Sequence, residues 1–241
     1  MSFLNLEHSS HAYSMPTPSE DCKGEYMQSR RISRLACLIV IFGVGQFLFL
    51  TLLAGVFYPG GFDYFGYYFS DLGAVIARNG ESNSISRSLF SVALTIIALS
   101  FIPFWLVIQR LFRESKVERV LSILGSALGL LSSPFTIGVG LFPIDTQLET
   151  HFIVTLILVL LFALASLLYS IAIILNQKYP NYFGFMAFVL LAISVASFAT
   201  SLSAPSVGAF LQKIVAYGYF IWTLIPTYLF WSSFRLSSSR S

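Results

Sequence analysis

The sequence predicts an all-α membrane protein, a bundle of six transmembrane helices with both termini on the cytoplasmic side. Three observations predict it. Of the 241 residues, 56% are hydrophobic and only 10% are charged, against about 25% charged residues in a soluble domain. Between Leu35 and Phe234 the apolar residues form six long runs with no charged residue at the middle of any of them. The basic residues are also sorted by side. Lys23, Arg30, Arg31, Arg34, Arg110, Arg113, Lys116, Arg119, Lys178, Arg235 and Arg240 fall on one set of alternating segments, leaving Arg78, Arg87 and Lys213 for the other. Lysine and arginine accumulate on the cytoplasmic side of a membrane protein, and an even number of spans returns the chain to the side on which it starts.

Residues 1–34 are polar, with mixed charge and two prolines, and read as a disordered cytoplasmic tail. His8 and His11 lie in it, with no framework to make a metal site of them. The six spans are expected at about 35–58, 88–112, 120–142, 151–175, 182–202 and 211–234, each close to the ~20 residues that cross a bilayer core. A short cytoplasmic tail, 235–241, follows. Pro103, Pro134 and Pro226 fall inside spans, where each removes a backbone donor and favours a bend. Gly125 and Gly129 form a GxxxG spacing in the third span. That face can pack a neighbouring helix of the same chain or a second copy. The connections at 113–119 and 176–181 are short and polar, whereas the one after the first span is long and aromatic. Phe62, Tyr64, Phe65, Tyr67, Tyr68 and Phe69 suit a membrane interface or a lid over the outer mouth of the bundle.

Composition narrows the function. The net charge of +3 comes from short juxtamembrane groups rather than a continuous basic stripe, so nucleic acid is not an expected partner and membrane lipids are. Cys22 and Cys37 lie in the tail and the first span, so no extracellular disulfide is expected. No cleavable signal peptide is expected either, because a polar segment precedes an apolar run too long for one. An ionisable group at mid-span marks proton pumps, ion-coupled carriers and voltage sensors. The central parts of these spans offer only groups such as Gln46, Thr51, Thr95 and serines.

Chemistry is therefore expected at the outer ends of the spans. Ser70 and Asp71 close the aromatic stretch, Asp145 follows the third span, and Glu149 and His151 open the fourth. The tight turn from Asp145 to His151 makes those residues neighbours, and topology brings Asp71 to the same face. A histidine flanked by carboxylates can act as a general base, ligate a metal or anchor a loop. Glu149 complements the helix dipole, and Thr150 is the expected N-cap. Zinc hydrolysis calls for several histidines, of which the membrane portion has His151 alone, and a Gly-x-Ser-x-Gly nucleophile motif is absent. No cofactor is expected.

Three segments carry a family likeness: YFSDLGA before the second span, SRSLFSVALT at its start, and GVGLFPIDTQLETHF between the third and fourth. They resemble an uncharacterised prokaryotic family of six-span membrane proteins known only as a domain of unknown function. The layout is also distantly similar to the DRAM/Frag-type family, which includes a protein implicated in remodelling GPI anchors. The first resemblance implies a fold and no activity; the second implies a lipid-associated role. The leading expectation is a non-enzymatic protein of the cell membrane, with an outer-face site for a lipid headgroup or small ligand lined by Ser70, Asp71, Asp145 and His151. A membrane-embedded hydrolase or transferase using His151 with Asp71 and Asp145, and a permease, are the alternatives.

Overall fold

The computed structural model describes residues 20–176 and 178–238. Its six long helices are α1 (Glu20–Val56), α2 (Ser84–Ile108), α3 (Lys116–Leu141), α4 (Leu148–Leu175), α5 (Tyr182–Ser203) and α6 (Pro205–Ser238). Each contains a stretch long and apolar enough to cross a membrane, so this is a multi-pass membrane protein. Among the described residues there is no strand, only an isolated antiparallel bridge between Ile76 and Ser82. The helices pack in chain order as a ring, and α6 closes back onto α1 while also touching α2, the most enclosed span. Short connections after α2, α3, α4 and α5 make successive helices antiparallel. One end of the bundle therefore carries the 57–83 connection, and the other carries both ends of the described chain.

The helix starts differ from the sequence expectation in ways that local chemistry explains. α1 begins at Glu20, so residues 20–34 are helical where a disordered tail is expected; no proline interrupts the chain between Pro18 and Pro59. His8 and His11 lie outside the described residues. α3 begins at Lys116 because Ser115 accepts a hydrogen bond from the Glu118 amide at 3.1 Å, the serine half of a capping box. α4 begins at Leu148 with Gln147 as its cap residue, which places Thr150 inside the first turn rather than at the N-cap. α6 begins at Pro205, with only Ala204 between it and the end of α5. Proline suits a first helical position, where its missing donor would be unpaired anyway. The early start of α6 puts Lys213 inside that helix, beyond its second turn.

The core toward the chain-terminal end is aromatic. Trp105 and Trp222 are almost fully buried. Phe162 meets Phe101 at 5.8 Å, Trp105 at 5.6 Å and Tyr219 at 5.2 Å between ring centroids. Gly125 and Gly129 admit this packing: the Tyr169 ring lies against the first and the Trp105 ring against the second. Both glycines of the GxxxG spacing are thus covered by α4 and α2 of the same chain. On the chain-terminal side, Glu118 is buried and accepts from Asn176 Nδ2 at 2.9 Å, tying the start of α3 to the end of α4.

Candidate functional site

The 57–83 connection folds over one end of the bundle, and its own sequence explains how. Asp63 accepts the Phe65 amide at 2.9 Å, and the amides of Gly66 and Phe65 hold its carboxyl below the usual carboxylate range. Phe69–Gly73 forms a buried 3-10 helix. The chain then reverses through Gly80, at φ +88°, where the Gly80 amide bonds Ala77 O at 2.9 Å. Asn83, fully buried ahead of α2, donates through Nδ2 to Leu72 O at 3.1 Å and Ala74 O at 3.0 Å. The connection is a folded cap.

The cap is also fastened from outside. Val75 and Ile76 donate their amides to the Asp145 carboxylate at 2.9–3.0 Å. On α6, Gln212 Oε1 accepts the Phe69 amide at 2.9 Å. The neighbouring Lys213, 6% exposed, donates to Tyr67 O and, at 3.1 Å, to Ala209 O. Adjacent α6 side chains therefore hold the backbone on both sides of Tyr68. Sequence reasoning placed Lys213 among the outer charges but gave it no role. The signal was available: a lysine within an apolar run must find oxygen partners.

The four residues singled out by sequence divide into two pairs. Asp71 and Asp145 border a shallow depression with Tyr58, Tyr68 and Arg78. Asp71 is buried, accepts the Tyr68 amide at 2.9 Å, and takes Arg78 Nη2 at 2.9 Å and Nε at 3.2 Å. Arg78 also lies over the Tyr67 ring at 4.7 Å, and burial pushes the nearby Tyr58 phenol up from its ordinary pKa. Both carboxylates are thus committed to loop structure. No hydrogen bond joins either of them to His151 among the described residues.

Ser70 and His151 face the interior instead. They line two adjoining cavities, a chamber of about 160 Å³ at the centre of the ring and a cleft of about 860 Å³ between α4, α5 and α6. Thr155, Val159, Gln212 and Val215 are also common to both walls. The chamber is otherwise mostly apolar, with Phe47, Phe90, Phe101, Phe162 and Phe220 around it and hydroxyls at Thr136 and Tyr219. The cleft is apolar at Phe152, Ile153 and Phe198, and carries hydroxyls at Ser194, Ser197 and Ser201. Glu149 stands exposed on its wall.

The polar neck between the two spaces is built from side chains with capacity to spare. His151, 5% exposed, bonds Phe142 O at 2.6 Å through Nδ1. A carbonyl can only accept, so Nδ1 carries the proton and the neutral ring keeps a lone pair at Nε2. The Ser70 hydroxyl, in a residue 4% exposed, has no partner among the described residues. Thr155 Oγ1 is buried without one. Gln212 spends Oε1 on the cap and keeps its amide donors. Buried polar groups normally find partners. A mostly apolar cavity on which a few polar side chains converge, the Thr155 hydroxyl among them buried and unpaired, has the form of a ligand pocket, in which such groups orient a mostly apolar guest. Among the described residues no group of three or more His, Cys, Asp or Glu could hold a metal ion.

Residues 41–228 match the model of a family described as "Protein of unknown function (DUF998)". No curated protein and no solved structure matches the chain.

Proposed function

The chain belongs to the DUF998 family, which lends it no activity, and we propose from its own geometry that it is a binding protein for a membrane amphiphile. The polar part of the ligand sits at the neck formed by Ser70, His151, Thr155 and Gln212, and the apolar part extends into the chamber and cleft. The observation that carries this reading is that the walls shared by the two cavities bring together Ser70, His151, Thr155 and Gln212, with the Thr155 hydroxyl buried and unpaired. The bundle lies in the cell membrane with the cap end outside, so the site opens toward the outer leaflet.

Two features favour binding over the alternatives. The carboxylates that an acid–base mechanism would draw on are bonded to Arg78 and to loop amides, so Asp71 acts on His151 only through space, with no hydrogen bond between them among the described residues. Beyond the Phe101 and Phe162 rings of the chamber wall the bundle is filled by Trp105 and Trp222, which favours a pocket over a path for transport.

Native mass spectrometry of the protein extracted from its membrane tests the reading. The wild type should carry an adduct of lipid mass. The Ser70→Ala/His151→Leu variant, with unchanged yield and melting temperature, should lose at least 80% of it. Equal adduct occupancy in the two proteins, or no adduct in the wild type, would overturn the proposal.

A further inference from the structure

Among the described residues, the walls of the two cavities carry no lysine or arginine. Lys213 is the nearest candidate by sequence, one residue from Gln212, but its ammonium is turned into the cap, bonded to Tyr67 O and Ala209 O, and lies 5.9 Å from the centre of the Phe62 ring. Among the described residues on either wall, the acidic side chain is that of the exposed Glu149. At the neck, His151 offers a lone pair, Ser70 and Thr155 offer hydroxyls, and Gln212 offers amide donors. An anionic headgroup drawn into this neck would lose its hydration with no cation to replace it, a cost that makes burial of unpaired charge unfavourable. A neutral hydroxyl finds both an acceptor and donors there.

We infer that the ligand is a neutral, hydroxyl-bearing amphiphile, an acylglycerol or long-chain alcohol type of molecule, and that the pocket excludes phosphate and carboxylate headgroups. The hydroxyl donates to His151 Nε2 and accepts from the amide of Gln212 or from Ser70. At about 160 Å³ the central chamber is close to the ~150 Å³ apolar cavity that accommodates benzene, too small for a long acyl chain, so the chain runs from the neck into the cleft of about 860 Å³. The inference rests on the amphiphile reading above and specifies its chemistry.

Purified full-length protein in phosphatidylcholine nanodiscs, incubated at pH 8 with radiolabelled monoolein, oleate or oleylamine, separates the two. Monoolein should be retained near one per protein, and oleate and oleylamine at least tenfold less, relative to empty nanodiscs. His151→Leu should lower monoolein retention at least fivefold, and Glu149→Lys should raise oleate retention while leaving the protein folded. Retention of oleate or oleylamine equal to or above that of monoolein would overturn the inference and leave the amphiphile site standing. Retention of none of the three above empty nanodiscs would overturn the site itself.

Discussion

At the scale of single residues, the cap depends on groups that have nothing to do with binding. Asn83 is the clearest. It is fully buried, and its Nδ2 serves the carbonyls of Leu72 and Ala74, which the 3-10 helix leaves pointing inward. A buried carbonyl deprived of its donor costs about 1–3 kcal/mol. Asn83→Ala should therefore destabilise the protein by about 2–3 kcal/mol. Asn83→Asp, which sets an acceptor against acceptors, should do at least as much harm. Thermal unfolding in detergent, followed by tryptophan fluorescence, checks this, and a melting temperature within a degree of wild type would show that the cap is not fastened there. Asp71 belongs to the same class. With its side chain 9% exposed and Arg78 half exposed at 49%, the pair is a partly desolvated loop staple, which explains why an acid so near the pocket takes no part in it.

At the scale of elements, helix identity was readable from the sequence and helix ends were not. Apolar runs report the membrane-crossing part, but a helix ends where its caps and backbone partners say so. Pro205 starts α6 six residues before the expected start at 211, and Gln147 starts α4 ahead of Thr150. The Ser115–Glu118 spacing was a legible signal for the start of α3. The candidate site was legible in part. Ser70 and His151 fell out of reasoning about which polar residues sit near span ends, and they share the cavity walls. Thr155 and Gln212 did not, because a lone threonine or glutamine in an apolar run is ordinary, and only the tertiary packing leaves one unpaired at a cavity. Nor could sequence tell that Asp71 and Asp145 would be consumed by amides and a guanidinium. The GxxxG spacing shows the same gap between pattern and use. The pattern permits packing within the chain or between copies, and here both glycines are occupied by Tyr169 and Trp105. Gly129→Val would drive a branched side chain into the Trp105 ring, which is almost fully buried and has no room to retreat. Overpacking of this kind costs about 1–3 kcal/mol. The expected outcome is a melting temperature several degrees lower with no change in the oligomeric mass measured by light scattering. A shift in mass at unchanged stability would instead make this face an interface between copies.

For the whole molecule, charge and pocket are linked through orientation. The ring of six antiparallel helices puts both ends of the described chain at one end and the cap, Ser70, His151 and the cleft opening at the other. Ten of the thirteen lysines and arginines among the described residues belong to the chain-terminal end and its connections. Each basic residue held near an anionic leaflet contributes about 1 kcal/mol, and short basic loops resist translocation, so the proposed orientation, with the chain-terminal end in the cytoplasm, is the one this excess predicts. The three basic residues at the cap end do not oppose it. Arg78 is paired with Asp71, Lys213 is bonded to the cap carbonyl of Tyr67 and to Ala209 O of its own helix, and Arg87 stands in the first turn of α2. A green fluorescent protein fused after Ser241 should fluoresce, and an alkaline phosphatase fused there should be inactive. A cysteine introduced at exposed Asn79, in the cap turn, should react with a membrane-impermeant maleimide in intact cells. Replacing Arg110, Arg113, Lys116 and Arg119 with glutamine should weaken that preference and yield a labelled minority of reversed molecules. An inactive fluorescent fusion with an active phosphatase would invert the orientation, and the amphiphile pocket would then draw from the inner leaflet with its chemistry unchanged.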